Sequence, residues 1–321
     1  MSQAINAKEL TKYYGDFLAV DHISFGVEQG EIFGFLGPNG AGKSTTIRML
    51  TGISLPSSGS AEIMGYDIVK NPVDAQSMMG IVPDISNIYT ELTAWQNLSF
   101  TGKLYGISRE KREKKSRELL ERFDLYQRKD EKVETYSRGM RRKICIAMAL
   151  VNDSKVLYLD EPTSGLDVQS VRSIRELVRD LNQDGLTVFL TTHNMEEANQ
   201  MCDRIAIINR GRIAAVDTPE KLKAAMQRSQ LIELSIEENN LSSIKFKGLP
   251  GVLDVQKHGD KTRIKTSRPS ETLRALCGLV ESNDLNLVSL NTLGSSLEDA
   301  FMELTGKEMK KEVVKERRGP R

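Results

Sequence analysis

A glycine-rich segment that ends in a lysine and a serine is the strongest candidate for chemistry in this sequence. It fits the pattern G-x-x-x-x-G-K-[ST] with the residues Gly37, Pro38, Asn39, Gly40, Ala41, Gly42, Lys43 and Ser44. Its glycines let the backbone curl so that successive N–H groups face one anion. The helix predicted to follow directs its positive end at the same point. We therefore predict that Lys43 contacts the β- and γ-phosphates of a nucleotide, while the Ser44 hydroxyl holds Mg²⁺.

Two adjacent acids and one histidine follow later apolar runs of the sequence. Asp160 and Glu161 come directly after the run 156–159, and His193 closes the run 187–192. Open α/β sheets bind ligands outside the carboxyl ends of their strands, where these side chains would lie. We expect Asp160 to hold the metal and Glu161 to polarise the attacking water as a general base, rather than to form a solvated acidic turn. His193 is a candidate hydrogen-bond partner of the γ-phosphate or the water, the alternative being a structural histidine.

The hydrophobic patterns predict the elements that would position these residues. Residues 3–30 alternate as in antiparallel strands, and residues 32–36 form a buried strand that runs into the glycine-rich turn. Residues 70–152 are predicted to be mostly helical. Three uniformly apolar runs favour central parallel strands covered on both faces, at 156–159, 186–190 and 205–208. The fold class is therefore α/β, and this context favours a phosphate site over a junction that merely requires glycine.

A change of pattern after residue 225 predicts a second, small α+β domain. Ile232, Leu234 and Ile236 alternate with polar residues, as in a half-buried strand. A hairpin near residues 258–260, a helix after Pro269 and a strand at 285–290 are expected to follow. A last helix is predicted to begin near Ser295. We therefore divide the chain into domains at 1–225 and 226–306, with a charged tail at 307–321.

The composition limits the classes of partner and compartment. The 321 residues contain 45 Lys and Arg against 44 Asp and Glu, so no net field favours nucleic acid, and we expect no nucleic-acid partner. Three isolated cysteines indicate neither a metal site nor a disulfide framework, which favours the cytoplasm. The sequence contains no apolar run of the roughly 18 residues that a spanning helix needs. If the protein serves a membrane, another chain must span it.

Taken in order, these motifs resemble the ATPases of the ABC family over roughly residues 3–225. The family's signature, which opens a helix, is matched by Tyr136, Ser137, Arg138, Gly139 and Met140. Residues 160–167 resemble its second nucleotide motif and the D-loop that ends at Asp167, and His193 matches its switch histidine. Tyr14 matches the aromatic residue that stacks on adenine. The resemblance implies a P-loop cassette with a mixed sheet, an antiparallel β-subdomain and a helical subdomain that carries the signature.

The family pattern also implies which residues form the sites. It assigns catalysis to Glu161, His193 and Lys43, and it adds Tyr14 and Thr45 to the eight nucleotide-binding residues of the glycine-rich segment. Mg²⁺ is assigned to Ser44 and Asp160. In this family the signature of one subunit completes the ATP site of another, so Ser137, Arg138 and Gly139 would act in trans.

Two positions depart from the family pattern. Arg138 stands at the usual first glycine of the signature, which resembles the branch that exports drugs, lipids or polysaccharides through a separate permease. Asp84 replaces the usual glutamine after Val82 and Pro83. A carboxylate can bind Mg²⁺ but cannot donate a hydrogen bond, so Asp84 is either a metal ligand or a solvated loop acid.

The resemblance predicts an ATP-hydrolysing subunit that powers an exporter from the inner face of the cell membrane. Its expected partners are a multi-spanning permease and either a second copy or a homologous ATPase. A soluble ABC ATPase acting on ribosomes or nucleic acid is the alternative, although no second cassette or coiled-coil insertion is visible. A regulatory module without turnover is a third possibility, against which Glu161 and His193 argue. The sequence does not identify the cargo.

Overall fold

A computed structural model describes residues 2–85, 87–224, 230–237, 246–259, 261–283, 285–293, 296–298, 300–302 and 304–306. The chain divides into two compact units between Thr218 and Pro219. The division lies a few residues before the predicted limit at residue 225, so a short helix that begins at Pro219 belongs to the second unit. Proline is favoured at the first turn of a helix because its missing N–H is not needed there.

Ten strands and seven α-helices are described in the first unit. The strands are β1 (Gln3–Tyr14), β2 (Phe17–Glu28), β3 (Ile32–Leu36), β4 (Ser58–Ile63), β5 (Tyr66–Asp67), β6 (Met79–Val82), β7 (Val156–Asp160), β8 (Thr187–Thr192), β9 (Arg204–Asn209) and β10 (Arg212–Asp217). The helices are α1 (Lys43–Leu50), α2 (Pro72–Ser77), α3 (Ala94–Leu104), α4 (Arg109–Arg122), α5 (Arg138–Ala149), α6 (Val168–Gln183) and α7 (Met195–Met201).

These strands form two sheets. The antiparallel sheet has the order β2-β1-β4-β5, which confirms the alternation seen in residues 3–30. The second sheet has the order β10-β9-β3-β8-β7-β6 and is parallel except for the edge strand β10. The predicted parallel strands are therefore confirmed.

An aromatic cluster joins the two sheets. Phe25 of the antiparallel sheet lies with its ring centroid 5.7 Å from that of Phe33 and 5.5 Å from that of Phe35. Phe189 of β8 is 5.9 Å from Phe33, and Tyr158 of β7 is 5.6 Å from Phe189. All five side chains are buried. Aromatic groups at such separations add to the free energy gained by burial alone, so this cluster fixes the strands that end at the site.

The register of the parallel strands sets the predicted site residues side by side. Leu36 pairs with Thr192, and Asp160 pairs with Thr191. These neighbouring strands therefore end at the same edge of the sheet, where ligand sites in open α/β sheets lie. The residues that follow their ends are the glycine-rich segment, the acidic pair and His193.

The prediction that residues 70–152 are mostly helical is incomplete. Helices α2 to α5 lie in this segment, but β6 (Met79–Val82) is a strand that pairs in parallel with β7. A Cβ atom on Gly80 would lie 2.1 Å from the carbonyl oxygen of Ala149, so the glycine allows α5 to pack directly on this strand. The strand is short and contains a glycine, which weakened its signal in the sequence.

The second unit contains a four-stranded antiparallel sheet with the order β12-β13-β11-β14. Its elements are α8 (Pro219–Ala224), β11 (Gln230–Ile236), β12 (Val252–His258), β13 (Lys261–Thr266), α9 (Pro269–Ser282) and β14 (Leu287–Leu293). The alternating strand, the hairpin and the helix after Pro269 are thus found, and the last strand lies slightly later than predicted. Residues 297–298, 300–302 and 304–306 are helical. The predicted cap at Ser295 and the tail at 307–321 lie outside the described residues.

Candidate active site

The glycine-rich segment connects the buried strand β3 to α1, as predicted. Two of its glycines are required by close contacts with the neighbouring backbone. A Cβ atom on Gly37 would lie 2.4 Å from the carbonyl oxygen of Ile208. Gly42 caps α1 with φ of 108°, and a Cβ there would lie 2.9 Å from the carbonyl oxygen of Ala19. The turn therefore excludes larger residues at both positions and leaves the amino end of α1 open to an anion.

Lys43 lies under this turn with a side chain that is only 6% exposed. Its ammonium group donates hydrogen bonds to the carbonyl oxygens of Gly37 and Pro38 at 2.7 and 3.2 Å. It also lies 3.3 Å from Oε1 of Glu161. The cation is therefore held at the floor of the turn, in contact with the carboxylate predicted to act as the base.

The acidic pair diverges at the end of β7. Asp160 accepts a hydrogen bond from Thr191 Oγ1 at 2.5 Å, and its Oδ1 lies 3.5 Å from Ser44 Oγ. Glu161 has φ of 48°, and its backbone N–H donates to the carbonyl oxygen of Thr191 at 3.1 Å. A left-handed residue other than glycine costs free energy and persists where the surroundings hold it. This backbone conformation directs the two carboxylates to different partners.

Glu161 also contacts His193, which was predicted to lie at the same sheet edge. Its Oε2 lies 2.9 Å from Nδ1 of His193, whose side chain is 54% exposed, while the glutamate side chain is 14% exposed. Lys43, Glu161 and His193 therefore form a continuous chain of contacts across the ends of β3, β7 and β8. An oriented carboxylate beside a histidine can accept a proton from water, which is the arrangement that general-base chemistry needs.

A cavity of 330 Å³ opens beside these groups. It is lined by Tyr14, Phe17, Ala19, Asn39, Gly40, Gly42, Lys43, Ser44, Thr45, Asp84, Asp160 and Glu161. Most of the predicted nucleotide residues are thus brought together. The exceptions are Gly37, Pro38 and Ala41, which do not line it. The predicted catalytic residue His193 does not line it either, but contacts Glu161.

Two aromatic side chains line part of this cavity. Tyr14 is 45% exposed, and the Lys12 ammonium lies 5.2 Å from the centroid of its ring. Phe17, which the sequence reasoning missed, also lines the cavity and is 67% exposed. Exposed rings of this kind offer faces on which a planar base can stack. Phe17 pairs with Tyr14 at the end of the β1–β2 hairpin, and no spacing in the sequence singles it out.

The atoms that could hold a divalent cation are oxygens. Ser44 Oγ and Asp160 Oδ1 face each other at 3.5 Å, and Asp84 lines the same cavity. Among the described residues no three His, Cys, Asp or Glu side chains cluster as a complete metal site. Mg²⁺ usually takes one or two carboxylates and completes its shell with water and substrate phosphates, so this sparse set of hard donors fits that ion.

The predicted signature residues lie elsewhere, at the start of α5. Ser137 caps the helix by accepting a hydrogen bond from the Met140 amide at 3.2 Å. Arg138 donates to the carbonyl oxygen of Gly165 at 3.2 Å. A Cβ on Gly139 would lie 2.4 Å from Ser170 Oγ, so this glycine is also needed for packing against α6. None of the three signature residues lines the nucleotide cavity of its own chain.

The predicted D-loop residue Asp167 caps α6. Its carboxylate accepts hydrogen bonds from the amide and the hydroxyl of Ser170, both at 2.9 Å. These bonds hold the pKa of Asp167 below its usual value because they stabilise the charged form. Since Gly139 packs against the same serine, the D-loop and the signature helix are joined within one subunit.

Comparison with known proteins assigns the family. A sequence model described as ABC transporter matches residues 20–164. The linearmycin resistance ATP-binding protein of Bacillus subtilis is 38% identical over 309 residues, covering 95% of this chain and 99% of the relative. The chain belongs to the ABC transporter family.

Other members agree with this assignment. The daunorubicin/doxorubicin resistance ATP-binding protein of Streptomyces peucetius is 36% identical, with coverage of 95% of this chain and 93% of the relative. The Nod factor export ATP-binding protein I of Ralstonia nicotianae is 35% identical, with 95% coverage of both. The solved structure of cbiO1 from Clostridium perfringens, part of the ABC transporter complex cbiONQ, has a TM-score of 0.65 at 28% identity and covers 70% of this chain and 92% of that one.

Membership of the family confirms the predicted cassette fold and the predicted activity. The chain is an ABC transporter ATP-binding protein and an ATPase. Within the described ranges, no helix is both long enough and apolar enough to cross a bilayer.

Proposed function

We propose that this ABC ATPase hydrolyses ATP in the 330 Å³ cavity and thereby powers export through a separate membrane permease. The observation that carries the proposal is the meeting of Lys43, Glu161 and His193 at one sheet edge beside that cavity. Export is supported by the names of the relatives, which are a Nod factor export protein and two proteins of drug resistance. The protein would then act at the inner face of the cell membrane.

Each residue of the cavity has a separate task in this proposal. The ring faces of Tyr14 and Phe17 bind the base, and Lys43 binds the terminal phosphates from the floor of the turn. Ser44 and Asp160 are the residues that would hold Mg²⁺, with Asp84 as a further candidate. A bound Mg²⁺ would supply charge neutralisation of the phosphate oxygens.

Glu161 is the proposed general base, and His193 is the proposed catalytic partner that orients it. The 2.9 Å contact between His193 Nδ1 and Glu161 Oε2 fixes the direction of the carboxylate. A general base of this kind contributes about 10²–10⁴-fold to the rate of hydrolysis. The proton taken from the attacking water would rest on the Glu161 carboxylate until the product leaves.

A second subunit is required to complete the site in this proposal. Ser137, Arg138 and Gly139 do not line the nucleotide cavity of their own chain, and positive charge at the start of α5 opposes the helix dipole. An anionic nucleotide held by a second copy or by a homologous ATPase would reverse the sign of that interaction. A symmetric pair would then contain two such shared sites.

An apolar groove on the first unit supports the permease as the other partner. It has a volume of 550 Å³ and is lined by Ile53, Ile81, Pro83, Asn87, Tyr89, Phe100, Thr101, Leu104, Tyr105, Cys145, Met148 and Ala149. Ile53 and Leu104 are 66% and 71% exposed. Large exposed apolar surfaces mark interaction sites, and a short helix from a cytoplasmic loop of the permease would suit this groove. Pro83, which lines the groove, directly precedes Asp84 of the nucleotide cavity.

Phosphate release under multiple turnover, compared between the wild type and Glu161→Gln, tests the catalytic assignment. We expect the variant to lose nearly all turnover, whereas equal rates would favour a regulatory module.

Co-purification from the native cell in mild detergent tests the partner. A retained multi-spanning protein supports transport, whereas recovered ribosomes would overturn it.

Substitution within the groove tests the docking surface separately. Leu104→Glu is expected to abolish co-purification of the permease while the purified subunit still binds ATP. Leu253→Glu is the matched control, since Leu253 is 60% exposed on a strand of the second unit. Loss of the permease with both variants, or with neither, would contradict the proposed groove.

A further inference from the structure

Arg142 lies on α5 and is only 5% exposed. Its guanidinium group donates to three backbone carbonyl oxygens, those of Pro83 at 2.8 Å, Asp84 at 3.1 Å and Glu161 at 3.5 Å. We propose that Arg142 is a positioning residue. It fixes two backbone segments of the nucleotide cavity, at Pro83–Asp84 and at Glu161, relative to helix α5, which carries the signature. This inference rests on the proposed role of Glu161 as the base.

The acceptors suggest a role other than ion pairing. Within the described part of the chain, Arg142 donates its hydrogen bonds to carbonyl oxygens. A buried arginine more commonly has a carboxylate partner, because an uncompensated buried charge is costly. Its rigid, planar set of N–H donors can instead connect separate backbone segments, which a lysine with one ammonium group cannot do equally well.

Each segment that Arg142 holds carries a carboxylate of the cavity. The Pro83–Asp84 segment follows β6, and the side chain of Asp84 lines the cavity. Glu161 follows β7 in a left-handed conformation with φ of 48°, which needs support from its surroundings. Fixing the carbonyl group of Glu161 fixes the backbone from which its side chain reaches Lys43 and His193.

Arg142 also connects these carboxylates to the signature. It lies just beyond the first turn of the helix that Ser137 caps. If a neighbouring subunit shifts the start of α5, the same helix displaces the guanidinium group and with it the two cavity segments. The expected consequence is that turnover depends on Arg142, while binding of ATP through Lys43 and Tyr14 does not.

Steady-state kinetics of Arg142→Met and Arg142→Lys test this inference. A displacement of about 1 Å at a catalytic group can cost about 100-fold in rate. We expect Arg142→Met to lower kcat by about 10- to 100-fold with a KM for ATP within about threefold of the wild type. Arg142→Lys is expected to recover part of the loss, because an ammonium group can reach one of the carbonyl oxygens.

A double-mutant cycle then separates positioning from general destabilisation. In a Glu161→Gln background, single-turnover rates should change by less than about twofold on Arg142→Met, because the group that Arg142 positions is already gone. Arg112→Met is the matched control. Arg112 donates to Ser99 Oγ and to the carbonyl oxygen of Ile107, away from the cavity, and its variant should keep kcat within about twofold of the wild type.

Several results would overturn the inference. These are an unchanged kcat, a loss of equal size in both backgrounds, or a loss of equal size for Arg112→Met. Thermal denaturation checks that Arg142→Lys is folded, so its kcat stays informative if the methionine variant does not fold. Absence of phosphate release by the wild type would refute the proposed function itself, whereas equal release by the wild type and Arg142→Met overturns only the inference.

Discussion

Glu161→Gln is expected to tighten ATP binding as well as to abolish turnover. In the structure Glu161 Oε1 lies 3.3 Å from the Lys43 ammonium, with side chains that are 14% and 6% exposed. A nucleotide phosphate that takes Lys43 as its partner must compete with this carboxylate. The amide variant has nearly the same shape but no charge, so it removes the competitor.

The size of the effect follows from the distance. Opposite charges 3.3 Å apart attract by about 5 kcal/mol at an effective dielectric constant of about 20. Desolvation of two largely buried groups offsets most of that attraction, which leaves about 1 kcal/mol for the pair. This corresponds to about fivefold in affinity, and removing the repulsion between Glu161 and the phosphates acts in the same direction. We therefore expect an ATP Kd about five- to tenfold lower, with turnover reduced by about 10²–10⁴-fold.

Equilibrium titration with a fluorescent ATP analogue measures the two affinities under conditions where the wild type does not turn over. Asp153→Asn is the control for net charge, because Asp153 is 74% exposed and its ion pair is with Lys115. That variant should bind like the wild type. An affinity of Glu161→Gln equal to or weaker than that of the wild type would refute the claim that the carboxylate competes for Lys43.

Three further substitutions have defined outcomes. Asp84→Gln should raise the Mg²⁺ concentration for half-maximal hydrolysis several-fold, because a neutral amide oxygen attracts the cation less than a carboxylate does. An unchanged Mg²⁺ titration would exclude Asp84 from the metal site. Phe17→Ala should weaken ATP binding about tenfold in the same fluorescence titration, because it removes a stacking face. Tyr66→Ala is the control, since its ring lies away from the cavity, and it should bind ATP like the wild type. Gly80→Ala should lower the free energy of unfolding by about 1–3 kcal/mol in chemical denaturation, because its Cβ would overlap the Ala149 carbonyl oxygen; an unchanged midpoint would show that α5 can move away.

The groups whose positions in the structure agree with the prediction are those whose pattern is local. The glycine-rich segment fixes its own backbone, and Lys43 and Ser44 follow from its spacing. Asp160 and His193 were placed beside it because parallel strands end at one edge of the sheet, and this needs only the strand pattern and the handedness of the connections. The strand β6 escaped prediction because four residues that include Gly80 carry too little periodicity.

Other groups at the site depend on contacts between distant parts of the chain. Phe17 has no distinguishing spacing, and its role is visible only once the β1–β2 hairpin is placed beside the phosphate turn. Arg142 is one of four basic residues near the start of α5, and the sequence cannot tell which of them points inward. Burial and the three carbonyl contacts decide it.

The two departures from the family pattern, Asp84 and Arg138, also depend on contacts between distant parts of the chain. Their positions in the sequence do not show that they lie close together. In the structure Asp84 and Arg138 line one cavity of 250 Å³ next to the nucleotide site. A carboxylate where the family has an amide adds negative charge to this cavity, and a guanidinium where the family has glycine adds positive charge to the same lining. Across so small a space the two fields partly cancel. Neither substitution can therefore be judged alone, and the electrostatics of this cavity depend on both residues together.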